Sequence, residues 1–210
     1  MLGTHYFFSI KKGRLALIDA LLKEKLDLES GLPNGTSFNI DGSAHLALHT
    51  AAHYEHPDIC QFLLDRGALV DEYDRYGKTA LHYAVLCRTL ETIDVLLDWG
   101  ATIDTPDKLG QTALHGAARM TSRGSGIKLL LRRGANINAT DMKFRTPLHL
   151  AGIEGKDDIL KLLLDHGADP EARDDEGLGL CMVRSWSLGR GPRTGPHGLA
   201  VSNSGVETAP

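Results

Sequence analysis

The chain has 210 residues, of which 42% are hydrophobic and 24% are charged, as is ordinary for a globular protein. Its formal net charge of −4 gives no reason to expect general binding to nucleic acid, and no apolar run approaches the roughly 20 residues that span a membrane. The three cysteines are odd in number and lack metal-ligand or disulfide spacing. They favour reduced thiols and therefore a cytoplasmic or nuclear location.

A unit of about 33 residues recurs along the sequence. Each copy contains a Leu-His pair, and the histidines are spaced 33, 33 and 34 residues apart. They are His49, His82, His115 and His149. A Gly-Ala pair closes each copy. Because one such unit is too small to bury its own apolar side, the copies must stack into a solenoid.

Each copy carries the residues for one turn and two helices. An Asp opens the copy, and Asp side chains fold back onto backbone groups in turns. A Thr follows where its hydroxyl can cap the first N–H groups of a helix. A second apolar helix ends at the Gly of the Gly-Ala pair, which supplies the left-handed residue. The opening residues are Asp41, Asp74, Asp107 and Asp141, and the capping residues are Thr79, Thr112 and Thr146.

This unit resembles the ankyrin repeat. The stretches GKTALHYAV, GQTALHGAA and FRTPLHLAG match the start of its pattern, and VLLDWGATID, KLLLRRGANIN and KLLLDHGADPE match its end. The resemblance covers residues 5–177. It implies an all-α fold, a curved solenoid of stacked helix pairs joined by β-hairpin loops, that binds other proteins. It implies neither catalysis nor a cofactor.

The copies differ along the chain. Residues 1–29 are predicted to form a degenerate N-terminal repeat, and residues 30–40 an inserted loop that is either functional or merely mobile. Four full repeats follow at 41–73, 74–106, 107–140 and 141–173. The first of these has Leu46 in place of the capping Thr, which predicts that its first helix starts less firmly.

Two later repeats depart locally from the pattern. The repeat 107–140 has one extra residue and contains Gly124 and Gly126, which predict a loose turn at 120–126 and a second helix that begins near Ile127. In the last repeat, Phe144 stands where the others have Gly77 and Gly110. A bulky residue there is strained if the same turn is kept, and the alternative is a turn of another type.

A further repeat begins at residues 174–177, and the pattern then stops. The tail 178–210 is rich in Gly, Ser and Pro, which predicts disorder. Its first part, about 178–188, has the apolar residues to cover the last repeat as an irregular cap. So abrupt a break is more typical of an altered or truncated end than of a designed cap.

A histidine cluster at the first full repeat is the one candidate for metal chemistry. His45, His49 and His53 are spaced four apart, and histidines on one helix face can bind zinc, as in a metal-dependent hydrolase. The sequence lacks the His-Glu-x-x-His pattern, and His49 is the histidine of the repeat itself. The resemblance implies that this histidine belongs to a hydrogen-bonded scaffold, which we favour over the hydrolase.

The residues that differ between copies at equivalent places are the candidates for partner binding. Stacking aligns them in columns along the loops and the inner helices. Basic residues among aromatic and Met anchors favour a protein with an acidic, partly apolar segment, bound by a scaffold, adaptor or inhibitor. DNA is a disfavoured alternative, and so is a loop surface that is simply polar. The predicted contact residues are Tyr73, Arg75, Tyr76, Lys78, Leu86, Lys108, Leu109, Gln111, Arg119, Met120, Met142, Lys143 and Arg145.

Overall fold

A computed structural model describes residues 12–13, 47–87, 89–120 and 124–179 of the chain. The α-helices within these residues form four pairs. They are α1 (Ala47–His53) with α2 (Pro57–Asp65), α3 (Ala80–Ala84) with α4 (Glu91–Asp98), α5 (Ala113–Met120) with α6 (Ser125–Arg132), and α7 (Pro147–Ile153) with α8 (Asp157–Asp165). Nearly all of the predicted first repeat, the whole inserted loop and the tail beyond Gly179 lie outside the described residues.

The helices stack in two layers, one made of the first helix of each pair and one of the second, which we call the inner and the outer helices. The inner helices approach one another through small side chains that are fully buried: Ala51, Ala84, Ala118 and Ala151. The outer helices supply the larger apolar side chains of the same continuous core: Ile59, Leu63, Ile93, Leu96, Ile127, Leu130, Ile159 and Leu163. The predicted all-α solenoid of helix pairs is confirmed.

The recurring histidines tie each repeat to the next. Nδ1 of His82 accepts a hydrogen bond from the Thr79 N–H at 3.1 Å, so the ring proton is on Nε2. This Nε2 donates to the carbonyl oxygen of Gln111, in the following repeat, at 3.0 Å. The same bonds recur along the array. They join His115 to Thr112 and Arg145, and His149 to Thr146 and Leu178.

The first histidine of this series is incompletely bonded. His49 donates from Nε2 to the Lys78 carbonyl oxygen at 2.8 Å. Its buried Nδ1 has no hydrogen-bond partner among the described residues, in the copy whose sequence has Leu46 instead of Thr. Burial lowers the pKa of His49, His82 and His115, although the carbonyl that each of them binds acts in the opposite direction. The neutral imidazole is therefore the form that the fold requires.

A second series of hydrogen bonds joins neighbouring repeats through the loops that follow the outer helices. The carboxylate of Asp71 accepts from the Thr102 N–H at 3.0 Å, and that of Asp104 accepts from the Asn136 N–H at 3.1 Å. The side-chain oxygen of Asn138 accepts from the Asp169 N–H at 2.9 Å. Each pair of neighbouring repeats is thus joined at the start of the inner helices and again after the end of the outer helices.

The outer helices end at a glycine with positive φ, as predicted from the Gly-Ala pairs. The φ angles are 87° at Gly67, 83° at Gly100, 93° at Gly134 and 90° at Gly167. The longest of the described helices have nine residues, and none of them is long and apolar enough to cross a membrane.

Gly124 and Gly126, at the start of α6, have a different role from the predicted one. The helix begins at Ser125, two residues earlier than predicted, and Gly126 is buried within it. A Cβ atom on Gly124 would lie 2.3 Å from Cδ1 of Leu162 on α8. Gly124 therefore allows the next outer helix to approach closely. The prediction of a late helix start was wrong because it weighed the helix propensity of glycine and not this tertiary contact.

Candidate functional site

Four turns of five residues, which we call fingers, precede or follow the helix pairs: 74–78, 107–111, 141–145 and 174–178. In the first, Oδ1 of Asp74 accepts from the N–H groups of Tyr76 and Lys78, both at 2.8 Å. Asp107, Asp141 and Asp174 make the same two bonds in their own fingers. The opening Asp predicted from the sequence therefore shapes each finger, and the finger at 174–178 is complete.

Neighbouring fingers lie side by side, joined by one backbone hydrogen bond each. The N–H of Lys108 donates to the Tyr76 carbonyl, and the N–H of Met142 to the Leu109 carbonyl, both at 3.0 Å. The N–H of Asp175 donates to the Lys143 carbonyl, also at 3.0 Å. The predicted β-hairpin loops are thus tight turns, and the described residues include no regular strand.

Exposed apolar and basic side chains share this row of fingers. Of the ten large apolar side chains that are exposed in the described residues, five belong to the fingers or immediately precede them. We call the whole set the finger ridge. Its members are Tyr73, Arg75, Tyr76, Lys108, Leu109, Met142, Lys143 and Phe144. The guanidinium of Arg75 lies over the ring of Tyr76, 4.8 Å from its centroid.

Three side chains predicted for this surface face inward instead. Gln111 is 5% exposed, and Arg145 holds the Asp141 carboxylate through Nε at 2.9 Å and Nη2 at 2.7 Å. The ammonium of Lys78 lies 5.9 Å from the centroid of the Tyr83 ring. All three are the fifth residue of their finger, where the chain turns back into the next helix. A sequence column gives the position of a residue in the repeat, but it does not show which way the side chain points.

The carboxylates that open the fingers stay ionised, but N–H groups of their own fingers hold them, so their charge is not displayed by an exposed side chain. Burial raises the pKa of Asp141, but the hydrogen bonds from Arg145 and Lys143 outweigh it, and the net pKa is lowered. Asp74 behaves alike, because the Tyr83 hydroxyl donates to it at 2.6 Å. The exposed charges of the first three fingers are therefore basic: Arg75, Lys108 and Lys143. The fourth finger exposes Asp175 and Glu176, so the ridge changes sign at its end.

Phe144 is the member of the ridge that the sequence prediction did not include. It has a φ of 54° and its N–H donates to the Asp141 carbonyl oxygen at 2.9 Å, as Gly77 and Gly110 do in their fingers. The same turn is therefore kept, with an aromatic residue at its glycine position. Phe144 is 61% exposed. The signal in the sequence was this exception at a glycine position, which indicated strain but was not interpreted as a contact.

The inner-helix candidates lie apart from the finger ridge. Met120 is exposed at the far end of α5, which at about 1.5 Å per residue is roughly 12 Å from its finger. Leu86 and Arg119 are half-buried, and Leu86 packs against the core. The length of α5 thus separates Met120 from its finger.

The predicted histidine cluster supplies no metal site in the described part of the chain. Nε2 of His49 is used by the Lys78 carbonyl. His53 is exposed and packs edge-on against Tyr54 and Tyr83, with ring centroids 5.0 and 6.0 Å away. His45 lies outside the described residues, which hold no group of three His, Cys, Asp or Glu side chains that could bind a metal ion.

Comparison with known proteins agrees with this architecture. The family model for ankyrin repeats (3 copies) matches residues 6–107 and 100–174. The chain is 34% identical over 173 residues to ankyrin repeat protein nuc-2 of Neurospora crassa, which is 82% of this chain and 16% of that protein. It is 36% identical over 130 residues to the B-cell lymphoma 3 protein homolog of Mus musculus, 60% of this chain and 29% of the other.

A shorter match links the chain to protein phosphatase 1 regulatory subunit 27 of Homo sapiens, with 43% identity over 51 residues, 24% of this chain and 33% of that subunit. The chain thus spans between 16% and 33% of the length of these three relatives. Ankyrin repeats are protein–protein interaction modules, and the family is generally non-enzymatic. By its repeat sequence, its stacked helix pairs and these matches, the chain belongs to the ankyrin-repeat family.

Proposed function

We propose that this protein is a non-enzymatic scaffold, adaptor or inhibitor that binds an acidic, partly apolar segment of another protein along the finger ridge. The observation that carries the proposal is the composition of the ridge, where exposed cations alternate with exposed large apolar side chains on adjoining fingers. Contiguous apolar patches are uncommon on the surface of a monomer, and they mark interaction sites.

The residue types suit a protein partner. Tyr, Phe, Met and Arg are enriched at the centres of protein interfaces, and a few large anchors there carry most of the binding energy. Arg75, Lys108 and Lys143 supply positive charge in three consecutive fingers. Such charge speeds the encounter with an acidic segment and selects against basic ones.

The spacing of the fingers suggests the form of the bound segment. Packed helices lie about 8–10 Å apart, so the fingers that they carry have a similar spacing. An extended chain advances about 3.3 Å per residue. An extended segment with carboxylates about three residues apart would therefore place one carboxylate near each basic finger.

The fourth finger argues against DNA as the partner. Asp175 and Glu176 are exposed directly beside the finger that carries Lys143, and the whole chain has a net charge of −4. A duplex laid along the ridge would bring phosphates against these carboxylates, and phosphate contacts dominate the affinity for nucleic acid.

The names of relatives support a binding role, since one of them is a regulatory subunit of a phosphatase. A cytoplasmic or nuclear location remains part of the proposal. It rests on the thiols of Cys60, which is buried, and of Cys87, which is half-buried, both of them unpaired. Fluorescence microscopy of the tagged chain in cells tests the location, and accumulation in the secretory pathway would contradict it.

The experiment that tests the function selects binders from a displayed library of random 16-residue peptides on the immobilised full chain. We expect enrichment of peptides that are net acidic and contain apolar residues. Selection of basic peptides, or of none above background, would overturn the proposal.

Charge reversal on the chain then locates the binding of the selected peptides. The double variant Arg75→Glu/Lys108→Glu should weaken it on the order of tenfold at low salt and less at high salt. Arg132→Glu/Lys161→Glu makes the same change in charge on exposed positions of α6 and α8 and should leave binding unchanged. Arg133 does not serve in this control, because it forms ion pairs with Asp94 and Asp98 of α4. Equal loss in both variants would contradict the assignment to the ridge.

A further inference from the structure

Phe144 combines two properties that the fold itself does not require. Its backbone has a φ of 54°, in the left-handed region that is costly for a bulky residue. The residue is 61% exposed, so the strained position is not compensated by burial of the side chain. Gly77 and Gly110 close the same turn without a side chain. Strained residues of this kind cluster at binding sites, where the strain belongs to the mechanism.

The surroundings of Phe144 indicate what its ring contacts. Met142, in the same finger, is 70% exposed, and Leu109, whose carbonyl accepts the Met142 N–H, is 59% exposed. Lys108 and Lys143 are the exposed residues next to these two in the chain. The three apolar side chains therefore share two adjoining fingers with two cations.

We propose that Phe144 is the principal anchor of the finger ridge, packing between apolar residues of the acidic segment while Lys108 and Lys143 pair with its carboxylates. The inference rests on the proposed function, and it identifies Phe144 as the residue that contributes most to binding of the acidic segment. The left-handed backbone of Phe144 keeps the Asp turn closed, and the side chain extends into solvent.

If Phe144 is a strained anchor, its replacement should change stability and binding in opposite directions, which is not expected for a residue with only a structural role. Phe144→Gly and Phe144→Asn both suit a positive φ better than Phe does. Each should therefore raise the melting temperature by roughly 2–4 °C and yet weaken binding of the selected acidic peptides at least tenfold. For a residue with only a structural role, stability and binding would not move in opposite directions.

The matched control is Glu55, the other non-glycine residue with positive φ in the described part of the chain, at 61°. It lies in the turn between α1 and α2, at the opposite end of the inner helix from the fingers, where the last repeat has Gly155 with a φ of 64°. Whatever its effect on the melting temperature, Glu55→Gly should leave peptide binding within twofold of that of the unmodified chain.

The outcomes separate this inference from the proposed function. In one outcome, acidic peptides bind the original chain and lose affinity on the Arg75/Lys108 reversal. If they then bind the two Phe144 variants with the affinity of the original chain, Phe144 is not the anchor, but the proposed binding along the finger ridge is retained. If no acidic peptide is selected, the ridge proposal itself has failed. If sedimentation shows that the chain self-associates and Phe144→Asn abolishes this, a second copy is the occupant, which overturns the inference.

Discussion

The Nε2–H of His82 donates to the carbonyl oxygen of Gln111, 3.0 Å away in the following repeat, while Nδ1 accepts from Thr79. One imidazole ring thus caps the start of its own helix through Thr79 and binds the next finger through Gln111. The bond pattern requires a neutral imidazole, because a proton on Nδ1 would remove its acceptor. The stability of the array is therefore linked to pH.

Acid should destabilise the array before its carboxylates titrate. The pKa values of His49, His82 and His115 are lowered by burial from the ordinary 6.5. The unfolded chain therefore binds protons first as pH falls through about 6.5, and the free energy of unfolding decreases from there down to the lowered folded values. The lowered pKa values of Asp74 and Asp141 act only below about pH 4. Urea unfolding at pH 7.5, 6.5, 5.5 and 5.0 measures the effect.

The control for this pH dependence replaces the three histidines by glutamine together. The slope between pH 7.5 and 5.0 should then become small, whatever the stability of the variant at pH 7.5. A wild-type chain whose unfolding free energy is constant over this range would contradict the link.

Leu46→Thr should stabilise the chain. It places a hydroxyl three residues before His49, as Thr79 stands before His82, and so offers a partner to the buried Nδ1 that lacks one among the described residues. Restoring a helix cap contributes about 1 kcal/mol to the unfolding free energy. Leu46→Val has the shape of Thr without the hydroxyl and should not reproduce the gain. Thermal unfolding of both variants decides it.

Two glycines with similar φ angles should respond differently to alanine. Gly100 has a φ of 83° and open space around a Cβ, so Gly100→Ala should cost only the left-handed conformation, about 1–2 kcal/mol. Gly110 has a φ of 75°, but its Cβ would lie 2.8 Å from the Met142 nitrogen. Gly110→Ala should cost about 1–3 kcal/mol more, because the joint between two fingers must shift. If urea unfolding shows that the two variants lose equal free energy of unfolding, then the contact between the two fingers can shift at little cost.

Asp107 should be needed for its acceptor oxygen and not for its charge. Its Oδ1 accepts from the N–H groups of Leu109 and Gln111 at 2.8 and 3.0 Å, and the residue is buried. Asp107→Ala leaves both donors without that oxygen and should cost about 1–3 kcal/mol. Asp107→Asn keeps an oxygen in place and should cost clearly less. Similar losses for the two would mean that the negative charge itself matters.

The repeat architecture was predictable from the sequence because it depends on local signals that recur. Thr79, His82 and the closing Gly100 recur at fixed places in the unit, so their spacing in the sequence reveals the unit. The second partner of His82, the Gln111 carbonyl, is a backbone group, and no residue type marks it.

Features that depend on contact between repeats were not predictable in this way. Gly124 looked like a helix breaker, and only the position of Leu162 shows that it makes room for α8. Gln111 and Arg145 belong to a variable column, yet they face inward because the chain returns to a helix there. Phe144 was visible as an anomaly, but its exposure is a property of the assembled row of fingers.

The histidine hydrogen bonds divide the array into units whose boundaries differ from those of the sequence repeat. Read as letters, a unit runs from one opening Asp to the next, for example 74–106. In terms of hydrogen bonds, the acceptor that Nε2 of His149 needs is the carbonyl oxygen of Leu178, which belongs to the next unit. A protein cut at 173 would leave Nε2 of His149 without the Leu178 carbonyl that accepts from it. The Lys143 carbonyl would lose the N–H of Asp175 that donates to it. Shortened versions and transplanted repeats should therefore be spliced after a finger, at 111, 145 or 178, so that every histidine keeps the carbonyl that it holds.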